Sequence, residues 1–258
     1  MGRNDGESKT IRSVENAFLI LDELRERQQA GVTELSDAVG LSKGTIHHYL
    51  ATLRQQGFVE KQNGKYRLGL RPLSYGGVAR EREQVFQIGK ESVDRLTETT
   101  GETVRLVVER NGYGITLYQS TRNDREEVQT HVGTREELSS TAAGKAMLAV
   151  MDDDRIEQIE QDRQIRQGNT TVDTADLRDE IADVRSYGIA FDDEGQFDGV
   201  RCVAIALTTD TDTLLGAISV TGPIERIDDE RFHEDIPQAL RNIAGVIEIN
   251  TAYRGWME

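Results

Sequence analysis

The chain has 258 residues, three prolines, one cysteine and a formal net charge of −15, a length that suits one small and one mid-sized domain. No segment approaches the roughly 18–20 apolar residues of a membrane span, residues 1–9 lack the apolar stretch of a secretory signal, and a lone Cys202 excludes an internal disulfide and a thiolate zinc site. The acidity is uneven: residues 1–80 hold twelve Lys/Arg against nine Asp/Glu (+3), and residues 81–258 hold nineteen against thirty-seven (−18), so the N-terminal part stands apart as a candidate for nucleic acid.

In chain order, Ser13 reads as the N-cap of a first helix running to about Gln28. Val14, Ala17, Phe18, Leu21 and Leu24 recur at helical spacing as one apolar stripe, and Gly31 closes the segment. Thr33 is the next N-cap, opening a short helix over Glu34–Val39 that Gly40 ends. Ser42 caps a third helix, Lys43–Gln56, stopped by Gly57 at a favoured left-handed position. Two short helices joined by a tight turn containing glycine form a helix-turn-helix. Ile46, Leu50 and Leu53 anchor its second helix. Lys43, Gly44, Thr45, His47 and His48 then surround the exposed first turns, the part of this motif that enters the major groove. Hydroxyls and imidazoles reach base edges or phosphates, and the lysine supplies a cation.

Phe58–Gln62, Asn63-Gly64 and Lys65–Leu68 follow as a two-residue hairpin, because Asn-Gly supplies the positive φ values of a type I′ turn. A hairpin directly after a recognition helix is a wing, and Lys61, Lys65 and Arg67 place positive charge where a wing meets phosphates. The candidate DNA contacts of this domain, residues 1–70, are Thr33, Ser42, Lys43, Thr45, His47, His48, Lys61, Asn63 and Lys65.

Residues 71–83 read as a linker, helical after Pro72. The remainder, 84–258, opens with a helix over Gln84–Thr100. Strands are expected at Thr103–Glu109, Ile115–Ser120 and Glu127–Val132, the first two joined by a turn over 111–114. Helices follow at Thr141–Met151, Asp152–Gln161 and Thr174–Tyr187, with the polar stretch Gln161–Asp173 as a loop. Val200–Thr208 and Leu214–Thr221 are β-rich, and Cys202 falls in the first as a buried reduced thiol. Asp228–Tyr253 closes the chain as a long helix with Ile236, Leu240, Ile243, Ile247 and Asn250 on one face. Helices set around a largely antiparallel sheet make an α+β domain.

Only six of the basic residues are lysine, a composition that, with the acidity, suits a cytoplasm of molar salt and suggests a halophilic source. Catalysis finds no support: no nucleophile stands in a known motif, and His131 has no evident partner. Gly144-Lys145 lacks the earlier glycine and following Ser/Thr of a phosphate-binding loop. No cofactor and no metal are expected.

Across nearly its whole length the chain resembles the IclR family of bacterial and archaeal regulators. The resemblance rests on Arg12-Ser-Val-Glu-Asn-Ala, on Leu41-Ser-Lys-Gly-Thr-Ile-His-His-Tyr-Leu, and on Gly57-Phe-Val with Tyr66-Arg-Leu-Gly. It continues through Thr100-Gly-Glu-Thr-Val-Arg-Leu, Ser140-Thr-Ala-Ala-Gly-Lys-Ala, Gly188-Ile-Ala-Phe-Asp-Asp-Glu, Gly199-Val-Arg-Cys-Val-Ala and Gly216-Ala-Ile-Ser-Val-Thr-Gly-Pro. The family implies an N-terminal winged helix-turn-helix, a linker helix, a GAF-like C-terminal effector-binding domain and assembly as dimers or dimers of dimers. It implies double-stranded DNA as one partner and small carboxylic acids or aromatic metabolites as effectors. By the resemblance, Ala142, Ala143, Asp192, Cys202, Ser219 and Thr221 line the ligand cavity. The first two open a helix whose free N–H groups favour an anion, and Ser219 and Thr221 share a strand face. The chain departs from the family pattern at His48, where arginine is common, at Glu136-Glu137-Leu138-Ser139, where Leu-Pro-Leu-His is common, and at Gly195, where glutamate is usual. A C-terminal domain that only oligomerises is the alternative to an effector sensor. A small-molecule enzyme is the remaining alternative; the expected reading is a cytoplasmic regulator and not an enzyme.

Overall fold

A computed structural model describes residues 10–122, 130–167 and 174–255. The chain divides into two compact units, Met1–Ala79 and Arg80–Glu258.

The first unit contains α1 (Arg12–Arg27), α2 (Val32–Val39), α3 (Lys43–Gln55), the hairpin β1 (Val59–Gln62) and β2 (Lys65–Leu68), and the first turns of α4 (Arg71–Glu81). Its core is Ile20, Leu24, Ala30, Leu35, Ile46, Leu50, Val59 and Tyr66. Asn63 and Gly64 take φ of 51° and 83° and turn the hairpin, pairing Gln62 with Lys65 across two residues. Two expected caps are corrected. Ile11, not Ser13, precedes α1 and offers no side-chain bond. At α2 the cap is Gly31, whose N–H donates to the Glu34 carboxylate at 2.6 Å, so Thr33 lies inside the helix. At α2 the Glu34 carboxylate supplies the cap from inside the helix, and at neither start does the nearby hydroxyl act as one. The apolar stripe of α1 also splits. Of its members only Leu24 enters the core, joined there by Ile20, which the stripe did not include, while Val14 and Phe18 stay exposed. With Ala17 and Leu21, those two line a groove against α3 of about 630 Å³.

The second unit is one antiparallel sheet in the order β5-β4-β3-β8-β7-β6. Its strands are β3 (Thr103–Arg110), β4 (Tyr113–Ser120), β5 (Arg135–Glu137), β6 (Ala190–Asp193), β7 (Val200–Thr208) and β8 (Leu214–Pro223). Apolar alternation assigns its two faces. Val104, Leu106, Val203, Ile218 and Val220 pack with α5 (Gln84–Thr100) and α9 (Ile236–Gly255). Val107, Ala190, Cys202, Ala204 and Ala217 pack with α6 (Ala142–Val150), α7 (Asp153–Gln167) and α8 (Thr174–Tyr187). Small residues on this second face let α6 lie close to the strands.

Several expectations change here. Of the strand expected at Glu127–Val132, residues 127–129 lie outside the described residues, and Thr130–Val132 are not strand; the pairing partner of β4 is β5. Helix α7 continues through Gln167 where a loop was expected from Gln161; residues 168–173 lie outside the described residues. Strand β6 was not anticipated. The closing helix passes through a π-helical turn at Arg231–Asp235, and Asn250 is exposed, off the buried face of Ile236, Leu240, Ile243 and Ile247. Among the described residues no helix is long and apolar enough to cross a membrane.

Candidate functional site

The helix-turn-helix is built from its caps. Gly40 ends α2 in the left-handed region at φ 73°, and Ser42 opens α3 by accepting the Thr45 N–H at 3.2 Å. The Ser42 and Thr45 hydroxyls also bond each other at 2.8 Å, so both hydroxyls already have partners within the first turn. Ile46 and Leu50 are buried, which turns Lys43, Gly44, His47 and His48 outward. The free N–H groups and positive dipole end at Lys43 add to the lysine's own charge. Thr33, on the first turn of α2, is exposed. His48 borders the groove shared with α1 as well.

On the wing, Lys61, Asn63 and Lys65 are exposed, with Lys61 Nζ 5.2 Å from the centre of the Tyr66 ring. Arg67, also exposed, sits directly opposite Glu60 and is paired with it at 3.0 Å.

The six residues named for the larger domain meet on the α6 side of the sheet. Antiparallel pairing sets Asp192 beside Cys202 and Cys202 beside Thr221, and one row along it sets Ala204 beside Ser219 and Ser219 beside Arg105. The Thr221 hydroxyl donates to Cys202 Sγ at 3.1 Å. Ala142 and Ala143, both buried, pack over this face as the first turn of α6. Thr141 caps that helix by accepting the Gly144 N–H at 3.0 Å, and the preceding N–H groups have no intrahelical acceptor. All six residues are more than nine-tenths buried.

Burial raises the Asp192 carboxyl above its ordinary value, opposed by the Gln196 N–H and the charge of Lys145. A raised carboxyl holds its proton more tightly folded than unfolded. Its contribution to stability therefore falls as pH rises from the ordinary carboxylate range through the raised value. Burial likewise pushes the Cys202 thiol up, against the charge of Arg105 and the Thr221 hydroxyl, so the sulfur is a neutral wall rather than a nucleophile.

Two of the departures from the family pattern have local surroundings that account for them. Gly195 leaves room for the Asp192 carboxylate, since a Cβ there would lie 2.4 Å from Asp192 Oδ1 and push that side chain aside. Glu136 is tied to Arg105 and Gln196, and Glu137 to Arg163. Sequence reasoning missed Arg105, Thr116 and Gln196. An arginine inside the apolar run Val104–Val108 was the available signal.

Comparison with known proteins now settles the family. The model described as "Bacterial transcriptional regulator IclR C-terminal" matches residues 78–249, and the IclR helix-turn-helix domain matches residues 13–63. The chain belongs to the IclR family of transcriptional regulators. It is 34% identical over 252 residues to the HTH-type transcriptional regulator ArcR of Halobacterium salinarum, covering 95% of this chain and 96% of that one. With the HTH-type transcriptional regulator KdgR of Escherichia coli it shares 28% identity, covering 98% and 97%. The fold matches that of the Thermotoga maritima IclR with a TM-score of 0.73 at 22% identity, covering 94% and 99%. It matches the IclR regulator of Alicyclobacillus acidocaldarius at 0.74 and 21%, covering 93% and 99%. The protein is thus a transcriptional regulator with a DNA-binding helix-turn-helix, and its relatives are regulators rather than enzymes.

Proposed function

We propose that the protein recognises a palindromic operator as a dimer or dimer of dimers, through α3 and the wing, and that a small molecule held between α6 and strands β6–β8 changes its affinity for DNA. The observation that carries the effector reading is a set of polar residues buried in two adjacent rows where apolar packing is the norm: Asp192, Ser219 and Thr221 are 8%, 0% and 4% exposed. Burying such groups without full pairing costs roughly 1–3 kcal/mol each, which a purely structural core avoids. Ser219 Oγ has no hydrogen-bond partner, and a bound molecule supplies one. Self-association is supported in the first unit by exposed Val14, Phe18 and Leu19 on α1 and Leu73, Tyr75 and Val78 on α4.

The test is a thermal-shift screen of small carboxylic acids and aromatic metabolites on the full chain, followed by DNA titration with each hit. A ligand of the folded state raises its midpoint. Coupling of about 1–3 kcal/mol then alters DNA affinity roughly 5- to 150-fold. An anionic effector near Asp192 favours that residue's proton, so its affinity strengthens as pH falls through the raised carboxyl value. A hit that leaves both DNA affinity and footprint unchanged favours a C-terminal domain that only oligomerises.

A further inference from the structure

We propose that Arg105 is the carboxylate anchor of the effector site and that Glu136 is the chain's own place-holder on it, displaced when an effector carboxylate arrives. The proposal rests on the effector reading above and names its ligand class.

Arg105 lies in the middle of β3, is 1% exposed, and points to the face that carries Ser219. A buried guanidinium usually fills its donors with bidentate or multiple partners. Here Nη1 meets Glu136 Oε2 at 2.9 Å, and Nε has no hydrogen-bond partner. Two more buried polar atoms on the same sheet face lack partners: Ser219 Oγ on β8 and Thr116 Oγ1 on β4, whose register partner is Val107. The first N–H groups of α6 are donors as well. Donors from three strands and one helix end therefore share one face of the sheet. A group that satisfies them is rich in acceptors and negatively charged.

The charge balance selects a monoanion. Arg105 already faces Glu136, and Asp192, three strands away on β6, accepts the N–H of Gln196, the residue whose side chain also holds Glu136, so a dianion such as phosphate adds to two carboxylates. A single carboxylate replaces Glu136 on Arg105 with no change in net charge. Glu136 is suited to leave: its side chain is 15% exposed, against 2% for Arg105. Its other oxygen, Oε1, accepts Gln196 Nε2 at 2.5 Å, which ties β5 to the loop after β6. Displacement breaks that tie. Beside it, Glu137 stays bonded to Arg163 of α7 at 3.4 Å, and β5 runs directly into the turn Leu138–Ser140 on which α6 rests. Exchange of one carboxylate for another thus becomes a movement at the end of α6.

The test uses the full chain and formate, the smallest carboxylate, so that cavity size plays no part. Unfolding midpoints are compared in potassium chloride and in potassium formate at equal ionic strength, for wild type, Glu136→Gln and Arg105→Met/Glu136→Gln. The amide weakens the competitor, so formate is expected to raise the Glu136→Gln midpoint by roughly 2–4 °C more than that of wild type. The double variant, which lacks the anchor, is expected to show no such gain. Equal formate responses in wild type and Glu136→Gln overturn the proposal even if the double variant fails to fold. So does a Glu136→Gln response that persists in the double variant. A response confined to Glu136→Gln with no change in its DNA affinity keeps the anchor and removes the regulatory reading, so the two claims fail separately.

Discussion

Gly144→Ala is expected to destabilise the second unit by about 3 kcal/mol or more, lowering its unfolding midpoint by roughly 6–12 °C. A Cβ at residue 144 would lie 2.0 Å from the Leu138 carbonyl oxygen and 2.4 Å from Leu138 Cα. Those are backbone atoms of the turn that leads into α6, so no side-chain rotation relieves the clash. The same exchange normally stabilises a helix interior by up to about 1 kcal/mol, because alanine loses less conformational freedom. Gly245 supplies the internal control: it lies inside α9, and a Cβ there meets nothing within 4 Å. Gly245→Ala is therefore expected to raise the midpoint while Gly144→Ala lowers it. Thermal or urea unfolding of the two variants checks this, and changes of the same sign refute the claimed contact between α6 and Leu138.

Glu102→Ala has the second large effect. Glu102 is 2% exposed at the start of β3 and receives Arg226 Nη2 at 2.7 Å and Arg231 Nη1 at 3.3 Å. Arg231 also donates to the Thr100 carbonyl at 2.6 Å, so the carboxylate joins β3, the β8–α9 connection and the end of α5. Its removal leaves two guanidinium groups facing each other. For fully buried pairs such a loss costs about 3–5 kcal/mol. Because these arginines keep 35% and 28% of their side-chain surface in solvent, about 2–4 kcal/mol is expected here. The loss is expected to persist in concentrated potassium chloride, since a buried carboxylate is poorly screened. Asp94→Ala, which breaks the exposed Lys90–Asp94 pair at 2.9 Å and the Tyr118–Asp94 bond, is the surface comparison. A Glu102→Ala loss under about 0.5 kcal/mol removes the network from the account of stability.

How far these features were legible in the sequence depended on whether the deciding contact was local. The hairpin was plain because Asn63-Gly64 carries its own backbone requirement. Gly40 and Gly101 marked helix ends for the same reason, each taking a positive φ at a helix C-terminus. The starts of α1 and α2 were misplaced because Ser13 and Thr33 look like caps, whereas the chain uses Ile11 and the Gly31–Glu34 pair. Polar helix formers such as Gln161 and Arg163 read as loop but extend α7, where Arg163 finds Glu137 and Glu160. Strands β5 and β6 are short sheet edges with little apolar alternation, so their identity lies in their partners. The larger site was named through family resemblance, residue by residue. Arg105 and Glu136 meet across 31 positions, a pairing that spacing alone does not announce.

The central claim is sequence-specific DNA binding through α3. Its most direct test is a fluorescence-anisotropy titration of the full chain onto the duplex upstream of its own gene, in concentrated potassium chloride, beside a scrambled duplex. Wild type and Lys43→Ala/His48→Ala are compared; both residues are exposed, so the variant is expected to unfold like wild type. Saturable binding of the native duplex is expected, weakened about 10- to 100-fold in the variant, with little binding of the scrambled one. Equal affinity for the two duplexes, or a variant that binds as tightly as wild type, contradicts it.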